Sequence, residues 1–224
     1  MAILTLKVWD TPKENEDKDI FITAFFIALS LFMILYIGSG GATSPAAVFG
    51  NFASTTYIIG MLSFSLGIQL YSRNRPNSSK LYASVGKSKN YFWGMVIGTV
   101  LGVALVLGNV LFPKPQASAI AYDAFIALLY IITVVPFAEE KFFGRTVPYV
   151  VNSILKKPLV STGIAGLVFA FFHIIANGLN ATSLVMNFGF RVVIIYMNEK
   201  IQSSGFGDSW HYVTNFLSYA TGKG

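Results

Sequence analysis

The chain has 224 residues, 54% of them hydrophobic and 12% charged, with no cysteine and a net charge of +6. That charged share is about half of what soluble globular domains carry, and a mean hydropathy of +0.61 points the same way. Disulfides, thiolate nucleophiles and cysteine-ligated metals are excluded. The acidic side chains gather near the N-terminus (Asp10, Glu14, Glu16, Asp17, Asp19) and the basic ones in the connections. This distribution suits anionic lipid headgroups, and no nucleic acid partner is expected.

Residues 1–19 form a polar segment after a short apolar start, Ala2 to Trp9, which could lie on a membrane surface. No cleavable signal is expected, because the first apolar run begins only after this charged stretch. Residues 20–224 read as one all-α transmembrane domain. Several windows exceed the ~18 apolar residues that cross a hydrocarbon core, so a polytopic bundle of about seven to eight helices is expected. The alternating pattern of a transmembrane barrel is absent.

Ile20 to Ile37 is the first expected span, closed by Gly38-Ser39-Gly40-Gly41 and Pro45. A second runs from Ala46 to Leu70. Between Tyr71 and Asn90 stand Arg73, Arg75, Lys80, Lys87 and Lys89 with no acid. The positive-inside rule makes this loop, and with it the N-terminus, cytoplasmic. Tyr91 to Phe112 returns outward with glycines at 94, 98, 102 and 108, small residues that allow close helix contact. Pro113-Lys114-Pro115 makes an outer turn. Ala119 to Phe137 comes back inward, with Asp123 near its start and Pro136 placed to kink it. Leu159 to Ala176, Ser183 to Met197 and a short Ser209 to Ala220 complete the expected helices.

The costly residues follow the fourth run, in Ala138-Glu139-Glu140-Lys141-Phe142-Phe143-Gly144-Arg145. A charge at membrane depth costs at least ~2.5–3.5 kcal/mol on insertion scales and usually marks function. A bland alternative is a headgroup-level cluster in which Glu139 or Glu140 pairs with Lys141 or Arg145. The functional alternative is a carboxylate in a partly dry pocket that takes a proton from water. The only two histidines also fall in late apolar runs: His173 four residues after Phe169, and His211 four residues before Asn215. Each alone could be a helix-helix hydrogen-bonding residue or the polar lip of a helix. Together, a Glu–His pair can activate water while His and Asn donate to a developing oxyanion. Gly-x-Ser-x-Gly and His-Glu-x-x-His are both missing. Arg191, inside the sixth run, has three open roles: pairing with an acid, binding a substrate carboxylate, or snorkelling to a headgroup.

The order Glu-Glu…Arg, Phe-x-x-x-His, His-x-x-x-Asn, over roughly Pro136 to Tyr219, resembles the CAAX-protease and bacteriocin-processing family of intramembrane proteases. The resemblance implies that Glu140, with Glu139, and His173 activate the attacking water. It further implies that His211 and Asn215 stabilise the oxyanion and that Arg145 orients the carboxylates. The family pattern has three residues between the second glutamate and the arginine; four stand here, which leaves the division of roles between Glu139 and Glu140 open. A divalent metal such as zinc, with Glu140, His173 and His211 as candidate ligands, is compatible with the donor types but not required by this chemistry. The expected partners are the lipid bilayer and a peptide substrate, either a prenylated C-terminal tail or a bacteriocin-like peptide. The rival classes are a non-catalytic membrane immunity or scaffold protein and a small proton-coupled transporter.

One geometric demand follows. Ending the fourth span at Phe137 and starting the fifth at Leu159 puts His173 about 20 Å along its helix from the boundary. Glu140 and His173 then meet only if Glu140 sits deep or if residues 146–160 form an interfacial helix that re-enters late.

Overall fold

A computed structural model describes residues 13–36, 45–73, 88–111, 125–177 and 180–220. Among the described residues every regular element is helical: α1 (Lys13–Tyr36), α2 (Pro45–Arg73), α3 (Ser88–Leu111), α4 (Phe125–Lys141), a π turn (Phe142–Thr146), α5 (Val147–Leu155), α6 (Pro158–Asn177), α7 (Ala181–Ile201) and α8 (Gly205–Ala220). The expected features at Ala2–Trp9, Gly38–Ser44, residues 74–87, Pro113–Pro115 and Asp123 lie outside the described residues.

Most helix boundaries shift by a few residues from the sequence reading, and two shift further. α1 starts at Lys13, seven residues before the expected Ile20. More consequentially, the fourth helix does not end at Phe137. It runs on through both glutamates, the π turn and α5 to Leu155. The only prolines in this stretch are Pro136 and Pro148. Pro148 lacks an N–H, and its ring crowds the carbonyl four residues back, at Gly144. The helix widens there instead of breaking: the Val147 N–H donates to the Phe142 carbonyl, five residues back.

The chain then reverses within two residues. Lys156 takes a left-handed conformation (φ 54°), and its N–H donates to the Asn152 carbonyl at 2.9 Å. Pro158 opens α6, a first-turn position where its missing N–H costs nothing. This tight hairpin fixes the register. Glu140 lies sixteen residues before Lys156, and His173 sixteen after Lys157. Each is therefore about 24 Å from the reversal, and the two stand level. Phe143 confirms the pairing, with its ring 5.3 Å from Phe169 and 5.5 Å from Phe172.

The core around this hairpin is built from Met33, Ile58, Met61, Leu62, Val134, Ala138, Phe143 and Phe169. Tyr130 donates to Ser30 at 3.0 Å, tying α4 to α1. On the other side α3 and α8 pack backbone to backbone, because Gly94, Gly98 and Gly102 present one bare face. A Cβ at Gly94 would lie 2.8 Å from the Phe206 nitrogen, and one at Gly98 would collide with the Phe206 carbonyl and the Ser209 hydroxyl.

The burial pattern inverts that of a soluble domain. Phe21 (73% exposed), Leu35, Phe92, Trp93, Val100, Phe171 and Val185 face outward. Glu139, Glu140, Lys141, Arg145, Arg191, Asp208 and His211 are buried. α7 is the one helix, among the described residues, long and apolar enough to cross a membrane, with shorter apolar stretches at Ile20–Leu35 and Pro158–Ile174.

Substituting Gly98→Ala should force α3 and α8 apart and lower stability by about 1–3 kcal/mol, the usual cost of overpacking. Gly60, whose added Cβ would meet nothing within 4 Å, serves as the control: Gly60→Ala should be neutral or gain up to about 1 kcal/mol. Denaturant unfolding in detergent micelles measures both.

Candidate active site

The two glutamates end α4 just before the π turn. α7 and α8 close over them. A glycine stands at each point of closest approach: a Cβ at Gly144 would sit 3.1 Å from both Arg191 Nη1 and Glu140 Oε2, and one at Gly207 would sit 2.7 Å from Glu140 Oε2. The Gly207 N–H donates to Asn198 Oδ1 at 2.9 Å, which anchors the first turn of α8 to α7.

Arg191 Nη1 donates to Glu140 Oε1 at 2.8 Å, and this pair is shut off from solvent. The guanidinium carbon lies 4.1 Å above the centre of the Phe169 ring, so one face of the cation is covered by an aromatic face. His211 stands between the two glutamates, with Nδ1 2.8 Å from Glu140 Oε1 and Nε2 3.2 Å from Glu139 Oε2. A carboxylate only accepts, so donating to both requires a proton on each ring nitrogen. Glu140 thus has two charge-assisted partners. Glu139 has one longer contact.

His173 is held differently. Its Nδ1 lies 2.9 Å from the Phe169 carbonyl, and its ring 4.1 Å from the Phe169 ring. A carbonyl cannot donate, so Nδ1 carries the proton; whenever the ring is neutral, the lone pair is then on Nε2. The imidazole lies within electrostatic reach of Glu139, as does Arg191. His211 on α8 thus bonds both carboxylates, while His173 on α6 acts on Glu139 through space.

Arg145, which the resemblance assigns to orienting the glutamates, pairs elsewhere. Its Nη2 donates to Asp208 at 2.9 and 3.2 Å, and Ser204 Oγ donates to Asp208 Oδ2 at 2.7 Å. Asp208 precedes His211 by three residues, about one turn of α8. The α4–π segment and α8 are thus linked by two successive rungs, Glu139/Glu140 to His211 and Arg145 to Asp208. The cation that holds the glutamates is Arg191, so of its three open roles the structure shows pairing with an acid.

The fourth residue between Glu140 and Arg145 also has a structural account. A π turn is an α-helix carrying one extra residue, and it falls on Phe142–Thr146. Thr146 Oγ1 caps it by donating to the Lys141 carbonyl at 2.9 Å.

Asn215 is half-buried one turn beyond His211 on α8. Among the described residues it makes no hydrogen bond to either glutamate. Nor do those residues contain a group of three or more His, Asp or Glu side chains placed to hold a metal. The candidate trio Glu140, His173 and His211 does not assemble as ligands, because Glu140 Oε1 already accepts from Arg191 and His211 while His173 turns Nδ1 to the backbone. Sequence reading missed Asp208, Gly144, Gly207 and Tyr57. Only Asp208 left a signal, as an acid in the Gly-Phe-Gly-Asp-Ser-Trp-His run one turn before a candidate histidine. Comparison with protein-family models, curated proteins and solved structures finds no match.

Removing one member of a buried ion pair strands the other. Arg191→Met should lower stability by about 3–5 kcal/mol, and adding Glu140→Gln in the same chain should recover most of that loss. A double-mutant cycle by denaturant unfolding reads the coupling directly.

Proposed function

We propose that the protein is a multi-pass membrane endopeptidase of the CAAX-protease type, cleaving a peptide bond with a glutamate-activated water. The observation that carries this reading is His211 bridging two buried glutamates, with the half-buried His173 in electrostatic reach of Glu139, beneath an apolar exterior. A purely structural ion pair needs Glu140 and Arg191; it does not need a second carboxylate flanked by two imidazoles.

The geometry divides the roles. Glu140 is neutralised by Arg191 and His211 and acts as an anchor. Glu139, with one 3.2 Å contact and the His173 ring nearby, is the carboxylate left to work as the base. A water held between Glu139 and His173 Nε2 gives a proton to Glu139 as its oxygen bonds to the scissile carbonyl carbon. The carbonyl π pair moves onto oxygen. When the tetrahedral species collapses, the C–N bond breaks and the amine nitrogen takes the proton back from Glu139. Proton transfer by a positioned side chain contributes roughly 10²–10⁴-fold.

The outward-facing Phe, Leu and Val side chains support a bilayer setting, with the N-terminus and the 71–90 loop on the cytoplasmic side by charge. They also suit a substrate with an apolar anchor, a prenylated C-terminal tail, over an unmodified bacteriocin-like peptide. A proton-coupled transporter would draw on the same chain of buried charges, from Glu139 through His211 to Asp208 and Arg145. It would show pH-dependent flux in proteoliposomes and no peptide product, whereas a scaffold would keep its phenotype without the glutamates.

Purified protein should cleave an internally quenched farnesylated peptide. Glu139→Gln and His173→Ala should each reduce kcat by about 10²-fold or more while unfolding like the wild type. Retained cleavage in Glu139→Gln would remove the base assignment. Cleavage that survives a chelator would agree with the missing ligand set, and loss of it would point to a metal.

A further inference from the structure

The oxyanion needs donors, and the residue that resemblance assigns first is occupied. Both ring nitrogens of His211 face glutamate oxygens, at 2.8 and 3.2 Å. Beside the same carboxylates stand three buried donor atoms that have no hydrogen-bond partner among the described residues: Arg191 Nε, Arg191 Nη2 and the Tyr57 hydroxyl. A buried polar group left unpaired is costly, and such groups in a native structure call for an explanation.

Their placement supplies one. Nη1 of Arg191 is spent on Glu140. Nε–H and Nη2–H lie along the adjacent edge of the guanidinium and form a fixed two-pronged donor. Phe169 covers the face of this cation at 4.1 Å and also touches His173, with ring centres 4.1 Å apart. Phe172, three residues further along that helix, stacks on Tyr57 with centroids 4.2 Å apart and planes 12° from parallel. α6 thus sets His173, Arg191 and Tyr57 around one aromatic wall. Glu139 and Arg191 are the charged groups that act on the Tyr57 hydroxyl.

We propose that the Nε/Nη2 edge of Arg191 and the hydroxyl of Tyr57 receive the carbonyl oxygen of the scissile peptide and stabilise the charge it acquires. The ligand class is a neutral carbonyl that becomes anionic only during the reaction. A permanently charged carboxylate would meet two glutamates already in place, whereas a carbonyl enters uncharged and draws on Arg191 as charge develops. That is the condition for lowering a barrier without tightening the ground state. The inference rests on the endopeptidase reading and adds the residues that stabilise its transition state.

Tyr57→Phe is the test, because it removes a single oxygen that has no partner to lose among the described residues. With the farnesylated quenched peptide, kcat should fall about a hundredfold, the usual cost of one oxyanion donor, with KM unchanged. Thermal unfolding in the same detergent should be unchanged or move upward, since an unpaired buried hydroxyl has gone. Arg191→Lys keeps a cation against Glu140 but loses the second prong, and should also act on kcat. A Tyr57→Phe enzyme with wild-type kcat, or one that loses kcat and thermal stability together, overturns the donor assignment and leaves the protease reading standing. Wild-type protein that yields no peptide product overturns both.

Discussion

The fold depends on an ion pair that water cannot reach. Glu140 and Arg191 meet at 2.8 Å with side-chain exposures of 1% and 0%. Desolvating either charge alone costs several kcal/mol, and only close geometry with further hydrogen bonds returns that cost. The surroundings are shaped to give it. Gly144 and Gly207 let two backbones close over the carboxylate, His211 supplies a second donor, and the Phe169 ring lies beneath the guanidinium carbon. Because α4, α6, α7 and α8 each contribute a group to this one contact, their relative rotation is set by it.

The second constraint is longitudinal. A helix that ended at Phe137 would have left the glutamates at a boundary and His173 far from them. Instead one widened helix carries the chain past Glu140 to Leu155, and a two-residue reversal returns it along its own flank. Residues equidistant from that reversal meet. The π turn corrects the phase, absorbing an added residue so that Arg145 still reaches α8, one turn from where the glutamates do. The same α8 then needs α3 close behind it, which the three bare glycines of α3 allow.

Much of this was legible in the residue string. Apolar runs placed most of the helices, though α1 begins seven residues before Ile20 and the fourth continues eighteen past Phe137. The polar residues in or beside those runs marked Glu139, Glu140, His173, His211 and Asn215 as one constellation, with Arg191 left apart. The meeting of His173 with the glutamates could not be read, because hydropathy falls at Glu139 and the chain looks as though it stops there. Helix continuity through a charged stretch depends on partners that lie fifty or more residues away. The swap of cations failed for a related reason: Arg145 is near the glutamates in sequence, Arg191 only in space. Tyr57 carried no signal at all, since a tyrosine in an apolar run is ordinarily packing.

The separation of these partners along the chain bears on how such a molecule is made. Glu140 leaves the ribosome fifty-one residues before Arg191 and seventy-one before His211. At translation rates of about 5–20 residues per second, that is several seconds during which α4 carries its carboxylates without Arg191 or His211. A nascent α4 buried among apolar groups alone would bear their full desolvation cost, so the lowest-cost order of assembly keeps it beside water until α7 arrives. The final helices then do more than complete the bundle: they release α4 into it.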